Sequence, residues 1–222
     1  MKVTLVIPTL NEIDGMKEIM PRINRDWVDQ IIIVDGGSVD GTIEYANANG
    51  YFLLEQKTKG LVNAYKEALE FAAGDIIIIF TPDGNSVPEL IPMLIKKISE
   101  GYDMVIVSRY LNGAKSYDDD IITAFGNWMF TKMINVLFGA HYTDTLVGFR
   151  AWKKDLFRLT NEYAKIAGFE PLSAIKCAKL KLRVAEISGD EPPRIGGVRK
   201  MRPFINGSYI ILLIIKEFFT CR

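Results

Sequence analysis

Residues 3–12 read VTLVIPTLNE, and this stretch decides the fold of the chain. Its first half is β-branched and aliphatic, as expected of a buried strand, and its second half is polar, as expected of the loop after a strand. Similar runs, bounded by Gly, Asp, Asn or Pro, recur at residues 30–34, 51–54, 76–80 and 104–107. The first half of the sequence therefore predicts a series of buried strands.

Apolar residues at helical spacing lie between these runs. They recur at intervals of three and four in residues 61–72, and residues 90–98 show a related pattern. Strands that alternate with helices indicate right-handed crossovers and a mostly parallel sheet with helices on both faces. We therefore expect an α/β fold of the Rossmann-like type.

The pattern changes after about residue 110. Residues 121–138 predict a long helix that ends at Gly139, and shorter patterns predict a loop at 142–150, a helix at 171–180 and a strand at 183–187. Residues 191–203 are rich in Pro, Gly and Arg, which favours a mobile loop. No linker separates the two parts, so we expect one domain over residues 1–222 with halves at about 1–110 and about 111–222.

The composition excludes several classes of protein. The 222 residues include 27 Lys and Arg against 27 Asp and Glu, which argues against a nucleic-acid partner. The two cysteines, Cys177 and Cys221, are too few for a disulfide framework, so we expect the protein to reside in a reducing cytoplasm. The N-terminus lacks a signal-peptide pattern, and the longest apolar run, residues 209–215, is shorter than the ~20 residues of a membrane span. We therefore expect a cytoplasmic protein without a membrane-spanning helix.

Three polar clusters follow predicted strands. They are residues 8–12 (PTLNE), 35–42 (DGGSVDGT) and 81–85 (TPDGN). Ligands of open α/β sheets bind beyond the carboxyl ends of the strands, so the clusters indicate a binding site at one edge of the sheet. Any one cluster would also suit a turn or a helix N-cap, and Asp40 could simply cap the next helix.

The ordered set VIPTLNE, VDGGSVDGT, KTKGLVNAYKEAL and PDGN resembles the signatures of family 2 glycosyltransferases, inverting enzymes with the GT-A fold. Within this family the chain most resembles the subgroup of dolichol-phosphate-mannose-synthase-like proteins, because further signatures of that subgroup occur in the expected order. They are SRY, GN, TDTLVGFRA, FEPL and EPPRIGGVRKMRP. The resemblance implies transfer of a sugar from a UDP- or GDP-sugar to a hydroxyl or lipid-phosphate acceptor, in cell-envelope polysaccharide or glycolipid synthesis. The first half would then bind the nucleotide sugar and the second half the acceptor.

The resemblance also implies a set of nucleotide contacts. They would come from Pro8, Asn11, Glu12, Asp35, Gly37, Lys59 and Gly60. Asp35 would accept a hydrogen bond from the base, and Lys59 with Gly60 would let a cation and a backbone approach the nucleotide. Relatives commonly have a second acidic residue after Asp35, where this chain has Gly36, so the choice between UDP and GDP stays open.

The metal motif departs from the family pattern. Relatives commonly carry Asp-X-Asp followed two residues later by Gln, and this chain has Thr81, Asp83 and Asn85 at the three positions. Asp83 and Asn85 can still offer oxygen ligands to Mg²⁺ or Mn²⁺, although one carboxylate should bind weakly. Because Thr81 and Gly36 each replace an acidic residue, a catalytically impaired nucleotide-sugar-binding module is an alternative.

The acceptor half offers candidates for two kinds of chemistry. A hydroxyl acceptor needs a general base, for which Asp144 is the first candidate and Glu170 the second. A polyprenyl phosphate needs no base, and the resemblance assigns Arg109 to hold it. The resemblance implies a second phosphate-binding arginine at residues 118–123, but this segment reads DDDIIT. The missing arginine favours a hydroxyl or other non-phosphate acceptor, or phosphate binding by Lys115 instead.

Two segments near the C-terminus suggest further contacts. Arg194, Arg199, Lys200 and Arg202 could form a cationic loop that closes over the diphosphate, or could be a solvated loop. Residues 208–219 (SYIILLIIKEFF) predict an apolar helix that either packs on the domain, pairs with a second copy in a dimer, or lies on the inner face of a membrane.

Two other enzyme classes share this type of sheet. A dinucleotide-dependent oxidoreductase would need G-x-G-x-x-G after the first strand, where this chain has PTLNE. A sugar nucleotidyltransferase would need a Gly-rich basic loop at the same place. Both alternatives are therefore weaker than a glycosyltransferase.

Overall fold

The structure is a computed structural model that describes residues 1–156, 168–197 and 202–220. The strands are β1 (Val3–Thr9), β2 (Gln30–Asp35), β3 (Phe52–Glu55), β4 (Ile76–Ile79), β5 (Met104–Ser108), β6 (Arg150–Lys153) and β7 (Val184–Ser188). The helices are α1 (Ile13–Ile19), α2 (Thr42–Ala48), α3 (Leu61–Phe71), α4 (Ile91–Ser99), α5 (Ile121–Phe138), α6 (Phe169–Lys179) and α7 (Pro203–Phe219).

The strands form one sheet in the order β3-β2-β1-β4-β6-β5-β7. All neighbours pair in parallel except β6, which runs antiparallel between β4 and β5. The residues of β4 and β5 are buried throughout, which explains why their sequences are continuous apolar runs and do not alternate. The predicted mostly parallel α/β sheet is confirmed.

The structure corrects the sequence-based prediction at four places. The strand predicted at 51–54 spans 52–55 and is not buried, because it lies at the edge of the sheet. β6 was not expected, because Arg-Ala-Trp-Lys is short and begins and ends with a charged residue. α6 begins at Phe169, two residues earlier than predicted, because Pro171 is tolerated in a first helical turn where its missing N–H is not needed. α7 likewise begins at Pro203 and not near residue 208.

α5 is well defined at both ends. The Asp120 side chain caps its N-terminus by accepting a hydrogen bond of 2.7 Å from the Thr123 backbone N–H. Gly139 ends the helix in the left-handed conformation, with φ of 67°. In the described part of the chain, α5 is the one helix long and apolar enough to cross a membrane by length and composition alone. The earlier expectation of no such helix considered only uninterrupted apolar runs.

Helices α5, α6 and α7 of the second half pack on one another. Phe130 and Ile134 of α5, Ile175 of α6, and Ile210 and Ile214 of α7 form a shared apolar cluster. Glu217 of α7 is fully buried and forms ion pairs with Lys176 (2.9 Å) and Lys179 (3.1 Å) of α6. The apolar cluster and these ion pairs fix which face of α7 points inward.

Candidate active site

The three polar clusters meet at the carboxyl edge of the sheet, as the sequence predicts. They border a cleft of about 1600 Å³ that continues past the end of β5 to α5 and α7. Of the predicted site residues, those that line the cleft are Pro8, Glu12, Gly37, Lys59, Gly60, Asp83, Asn85, Arg109, Glu170 and Arg194. Lys200 lies outside the described residues, as does Arg199.

Asp35 shapes the loop that follows β2. Its buried carboxylate accepts hydrogen bonds from the Thr9 hydroxyl (2.8 Å), the Gly37 N–H (2.9 Å), the Ser38 N–H (2.6 Å) and the Ser38 hydroxyl (2.6 Å). These bonds turn the backbone of Gly36 and Gly37 toward the cleft. A nucleotide base that contacts Asp35, as the sequence predicts, would therefore have to bind a carboxylate that already accepts four hydrogen bonds from the protein.

Asn11 joins the first two polar clusters. Its backbone N–H donates to the Ser38 hydroxyl (2.8 Å), and its side-chain Oδ1 accepts from the Val39 N–H (2.9 Å). Asn11 has a φ of 54°, a left-handed conformation that asparagine tolerates better than most residues. The structure thus gives Asn11 a role in holding two loops together, while the adjacent Glu12 lines the cleft.

The loop with the metal motif packs tightly against α1 and residues 191–197. A Cβ atom added at Gly15 of α1 would lie 2.1 Å from the Pro82 carbonyl oxygen, so only glycine allows this approach. The Asp83 carbonyl accepts a hydrogen bond of 2.7 Å from the Ile195 N–H. Residues 191–197 therefore lie directly over the motif.

Asp83 and Asn85 present oxygen atoms toward this side of the cleft. Asp83 Oδ2 forms an ion pair of 2.7 Å with Arg194, and Asp83 Oδ1 accepts from the Asn85 N–H (3.2 Å). Asn85 Oδ1 is buried and accepts no hydrogen bond from any described residue. A buried acceptor without a donor beside a carboxylate fits a hard cation. No group of three His, Cys, Asp or Glu among the described residues could hold a metal by itself, so phosphate oxygens would have to complete the site.

Arg109 lines the cleft directly after β5 and is surrounded by carboxylates. Its Nε donates to Asp144 Oδ2 (2.7 Å) and one terminal nitrogen to Asp144 Oδ1 (3.2 Å). The other terminal nitrogen pairs with Asp119 (3.3 Å) and Glu191 (3.1 Å). Most of the donors of Arg109 are therefore already used, and three carboxylates face one guanidinium.

Asp144 is poorly placed for its predicted role as a general base. The side chain is fully buried, does not line the cleft, and also accepts from the Leu146 and Val147 N–H groups. Burial alone would raise the pKa of Asp144, but the charge and hydrogen bonds of Arg109 outweigh it and hold this pKa below its ordinary value. The geometry instead gives Asp144 the role of orienting Arg109.

Glu170 is better placed than Asp144. It lies in the first turn of α6, lines the cleft and receives a weak hydrogen bond of 3.4 Å from the Tyr65 hydroxyl. Burial raises the pKa of Glu170, although the charge of Arg150 opposes the shift. A carboxylate with a raised pKa beside a cleft is typical of a general base.

Several site residues were not predicted. Tyr65 counted only as an apolar position of α3, and Asp119 and Glu191 counted only as part of polar loops. Tyr65 and Glu191 have partners 105 and 82 residues away, which no local pattern could identify. Asp119 is 10 residues from Arg109, but no regular spacing of a helix or strand links the two. For Glu191, its place as the first residue of the EPPRIGG segment was the available signal.

The sheet, the polar loops at its carboxyl edge and the cleft between them have the arrangement of the GT-A fold. The chain belongs to glycosyl transferase family 2, whose model matches residues 4–159. This membership confirms the predicted family and enzyme class. It also removes the oxidoreductase and nucleotidyltransferase alternatives.

Relatives support the predicted subgroup. The chain is 28% identical over 225 residues to an undecaprenyl-phosphate mannosyltransferase of Micrococcus luteus, covering 95% of this chain and 92% of the relative. It is 36% identical over 123 residues to a dolichol-phosphate mannosyltransferase of Pyrococcus furiosus, covering 52% of this chain and 35% of the relative.

A solved structure supports the fold. Glucosyl-3-phosphoglycerate synthase of Mycobacterium tuberculosis, in complex with Mn²⁺, uridine diphosphate and phosphoglyceric acid, matches with a TM-score of 0.71. The match covers 100% of this chain and 80% of that chain at 19% identity.

Proposed function

We propose that this glycosyltransferase transfers a sugar, with inversion at the anomeric carbon, from a UDP- or GDP-sugar to a lipid-linked acceptor at a membrane surface. The observation that carries the proposal is the extent of the cleft. One end lies among Lys59, Asp83 and Arg194, and the other end lies between the apolar helices α5 and α7. The first end suits a charged donor and the second suits a lipid.

The donor end can hold a diphosphate. Lys59 and Arg194 offer positive charge, and Gly60, the residue before α3, has a φ of 109° that lets its backbone approach a ligand closely. Asp83 and Asn85 would hold Mg²⁺ or Mn²⁺, which when bound would stabilise the charge of the departing diphosphate. The Micrococcus and Pyrococcus relatives are named as transferases of mannose, which makes a nucleotide-linked mannose the first donor to test, with both GDP and UDP as the nucleotide.

The transfer exchanges one bond for another. The acceptor oxygen forms a bond to the anomeric carbon while the bond between that carbon and the diphosphate oxygen breaks, and the nucleoside diphosphate leaves. If the acceptor oxygen belongs to a hydroxyl, Glu170 takes its proton. If it belongs to a phosphate, no base is needed, and the phosphate has to displace Asp119 or Glu191 from Arg109.

The outer faces of α5 and α7 suit a membrane surface. Large apolar side chains are exposed on both helices, including Ile121 (88% exposed) and Trp128 on α5, and Leu212 and Phe219 (79% exposed) on α7, and none of these four lines the cleft. The inward face of α7 is already used by the packing on α6 described above, so the outer face is available to lipid. Adjacent exposed apolar helices beside a cleft favour peripheral attachment at the cytoplasmic face.

The proposal is tested by transfer from labelled GDP- and UDP-hexoses, with Mn²⁺, to vesicles that contain either undecaprenyl phosphate or an undecaprenyl-linked sugar with free hydroxyls. We expect label in the lipid extract with one donor, and NMR of the product should show the inverted anomer. Donor binding by calorimetry without transfer or hydrolysis would instead favour a catalytically impaired nucleotide-sugar-binding module. Retention of the anomeric configuration would contradict the inverting mechanism.

A further inference from the structure

Arg150 is a fully buried arginine at the start of β6. All of its N–H groups point to backbone or hydroxyl oxygens. The acceptors are the carbonyl of Val147 (3.0 Å from Nε, and again from a terminal nitrogen), the carbonyl of Thr145 (3.3 Å), the carbonyl of Glu170 (2.9 Å) and the hydroxyl of Ser173 (2.9 Å). The guanidinium therefore uses its full set of donors.

No carboxylate lies within ion-pair distance of Arg150 in the described part of the chain. Burying a charge without a paired counter-charge is costly, and an apolar side chain of similar volume would fill the site at lower cost. Core filling does not explain why an arginine stands here. The positions of its acceptors give a better explanation.

The acceptors belong to two walls of the cleft. Thr145 and Val147 lie in the loop between α5 and β6, which also carries Asp144 and contributes Leu146 to Phe149 to the cleft. Glu170 and Ser173 lie in the first turns of α6. Arg150 thus joins the loop that orients Arg109 to the helix that carries Glu170.

We propose that Arg150 is a positioning residue that fixes Glu170 in the cleft and supplies the positive charge that faces its carboxylate. The inference rests on the proposed sugar transfer, because it assigns Glu170 a place beside the reacting groups. The groups that face Glu170 are Arg150 from β6 and the Tyr65 hydroxyl from α3. Removing the positive charge leaves burial unopposed, so the pKa of Glu170 rises further and less carboxylate is ionised at neutral pH.

Two variants separate charge from geometry. Arg150→Lys keeps a positive charge but cannot reach all the acceptors, whereas Arg150→Met removes both charge and donors. Lys153→Met is the matched control, since Lys153 lies on the same strand and pairs with Asp103 (2.7 Å) away from the cleft. The pKa of Glu170 is measured in the full chain by ¹³C NMR of carboxyl-labelled glutamate, and Glu170→Gln assigns the signal.

We expect Arg150→Met to move the Glu170 titration to higher pH, Arg150→Lys to move it less, and Lys153→Met to leave it in place. With a hydroxyl acceptor, both Arg150 variants should lower kcat for transfer by between about tenfold and about a hundredfold, with little change in the KM for the donor. A folded Arg150→Met protein with an unchanged Glu170 titration would overturn the proposal. If Arg150→Met does not fold, a wild-type kcat of Arg150→Lys with a hydroxyl acceptor would overturn it. The NMR titration is read without turnover, so an absence of transfer by the wild type would count against the proposed function alone.

Discussion

Arg194 and Asp83 form an ion pair of 2.7 Å across the donor end of the cleft. Arg194 also lies 3.6 Å from Glu12, so it connects residues 191–197 to two of the polar loops at the edge of the sheet. A bound diphosphate would give Arg194 a new anionic partner. The same binding step would leave Asp83 free to hold a cation.

Asp83→Ala is expected to abolish metal-dependent transfer while the fold stays intact, because it removes the single carboxylate of the metal motif. We expect turnover at saturating Mn²⁺ to fall by at least about a hundredfold. Turnover is measured against Mn²⁺ concentration and paired with a melting curve. Asp75→Ala, an exposed aspartate whose carboxylate accepts from the Lys2 backbone N–H, is the control. Activity like that of the wild type would remove Asp83 from the metal site.

Arg194→Ala is expected to raise the KM for the nucleotide sugar by about tenfold or more, since a hydrogen bond to a charged group is worth roughly 1.5–3 kcal/mol. Removing the guanidinium also frees Asp83, so the Mn²⁺ dependence should shift to lower concentration. Arg183→Ala provides the comparison, because Arg183 lies over the Tyr102 ring and does not line the cleft. An unchanged KM for the donor would mean that Arg194 only holds the loop.

The sequence predicted the parallel part of the sheet well, because buried parallel strands are continuous apolar runs that a single chain displays directly. It did not predict β6, because Ala151 and Trp152 are buried only through their pairing with β4 and β5, which come from distant parts of the chain. For the same reason the sequence indicated which loops meet at the sheet edge but not which side chains pair there. Arg109 and Asp144 are 35 residues apart, and only the folded chain shows that Asp144 is enclosed.

Glu170→Gln is expected to separate the two kinds of acceptor. With a hydroxyl acceptor, wild-type activity should fall as the pH drops through the raised pKa of Glu170, and the variant should lose about a hundredfold or more in kcat. With undecaprenyl phosphate, kcat should change little.

Stability provides a second measurement for the same variant. Burial raises the pKa of Glu170 in the folded protein above its value in the unfolded chain. The protonated side chain therefore contributes its full stabilisation below the pKa of the unfolded chain, and this contribution is lost as the pH rises through the pKa of the folded protein. A neutral glutamine should therefore raise the melting temperature more at pH 8 than at pH 4. A melting temperature that falls equally at both values would show that the carboxylate is needed for folding.

Leu212→Asp combined with Ile215→Asp is expected to prevent attachment to membranes, because it places charge on the exposed face of α7 at two residues that do not line the cleft. The full chain should sediment with anionic vesicles, and the double variant should stay in the supernatant with an unchanged melting temperature. Phe71→Asp is the matched control, since Phe71 is an exposed aromatic residue of α3, outside the cleft and outside α5 and α7. If the wild type does not sediment but forms a dimer that the double variant dissociates in light scattering, the face is a contact between two copies and the membrane proposal is wrong. Sedimentation of the double variant at the wild-type level would also contradict it, because the attachment would then depend on another surface.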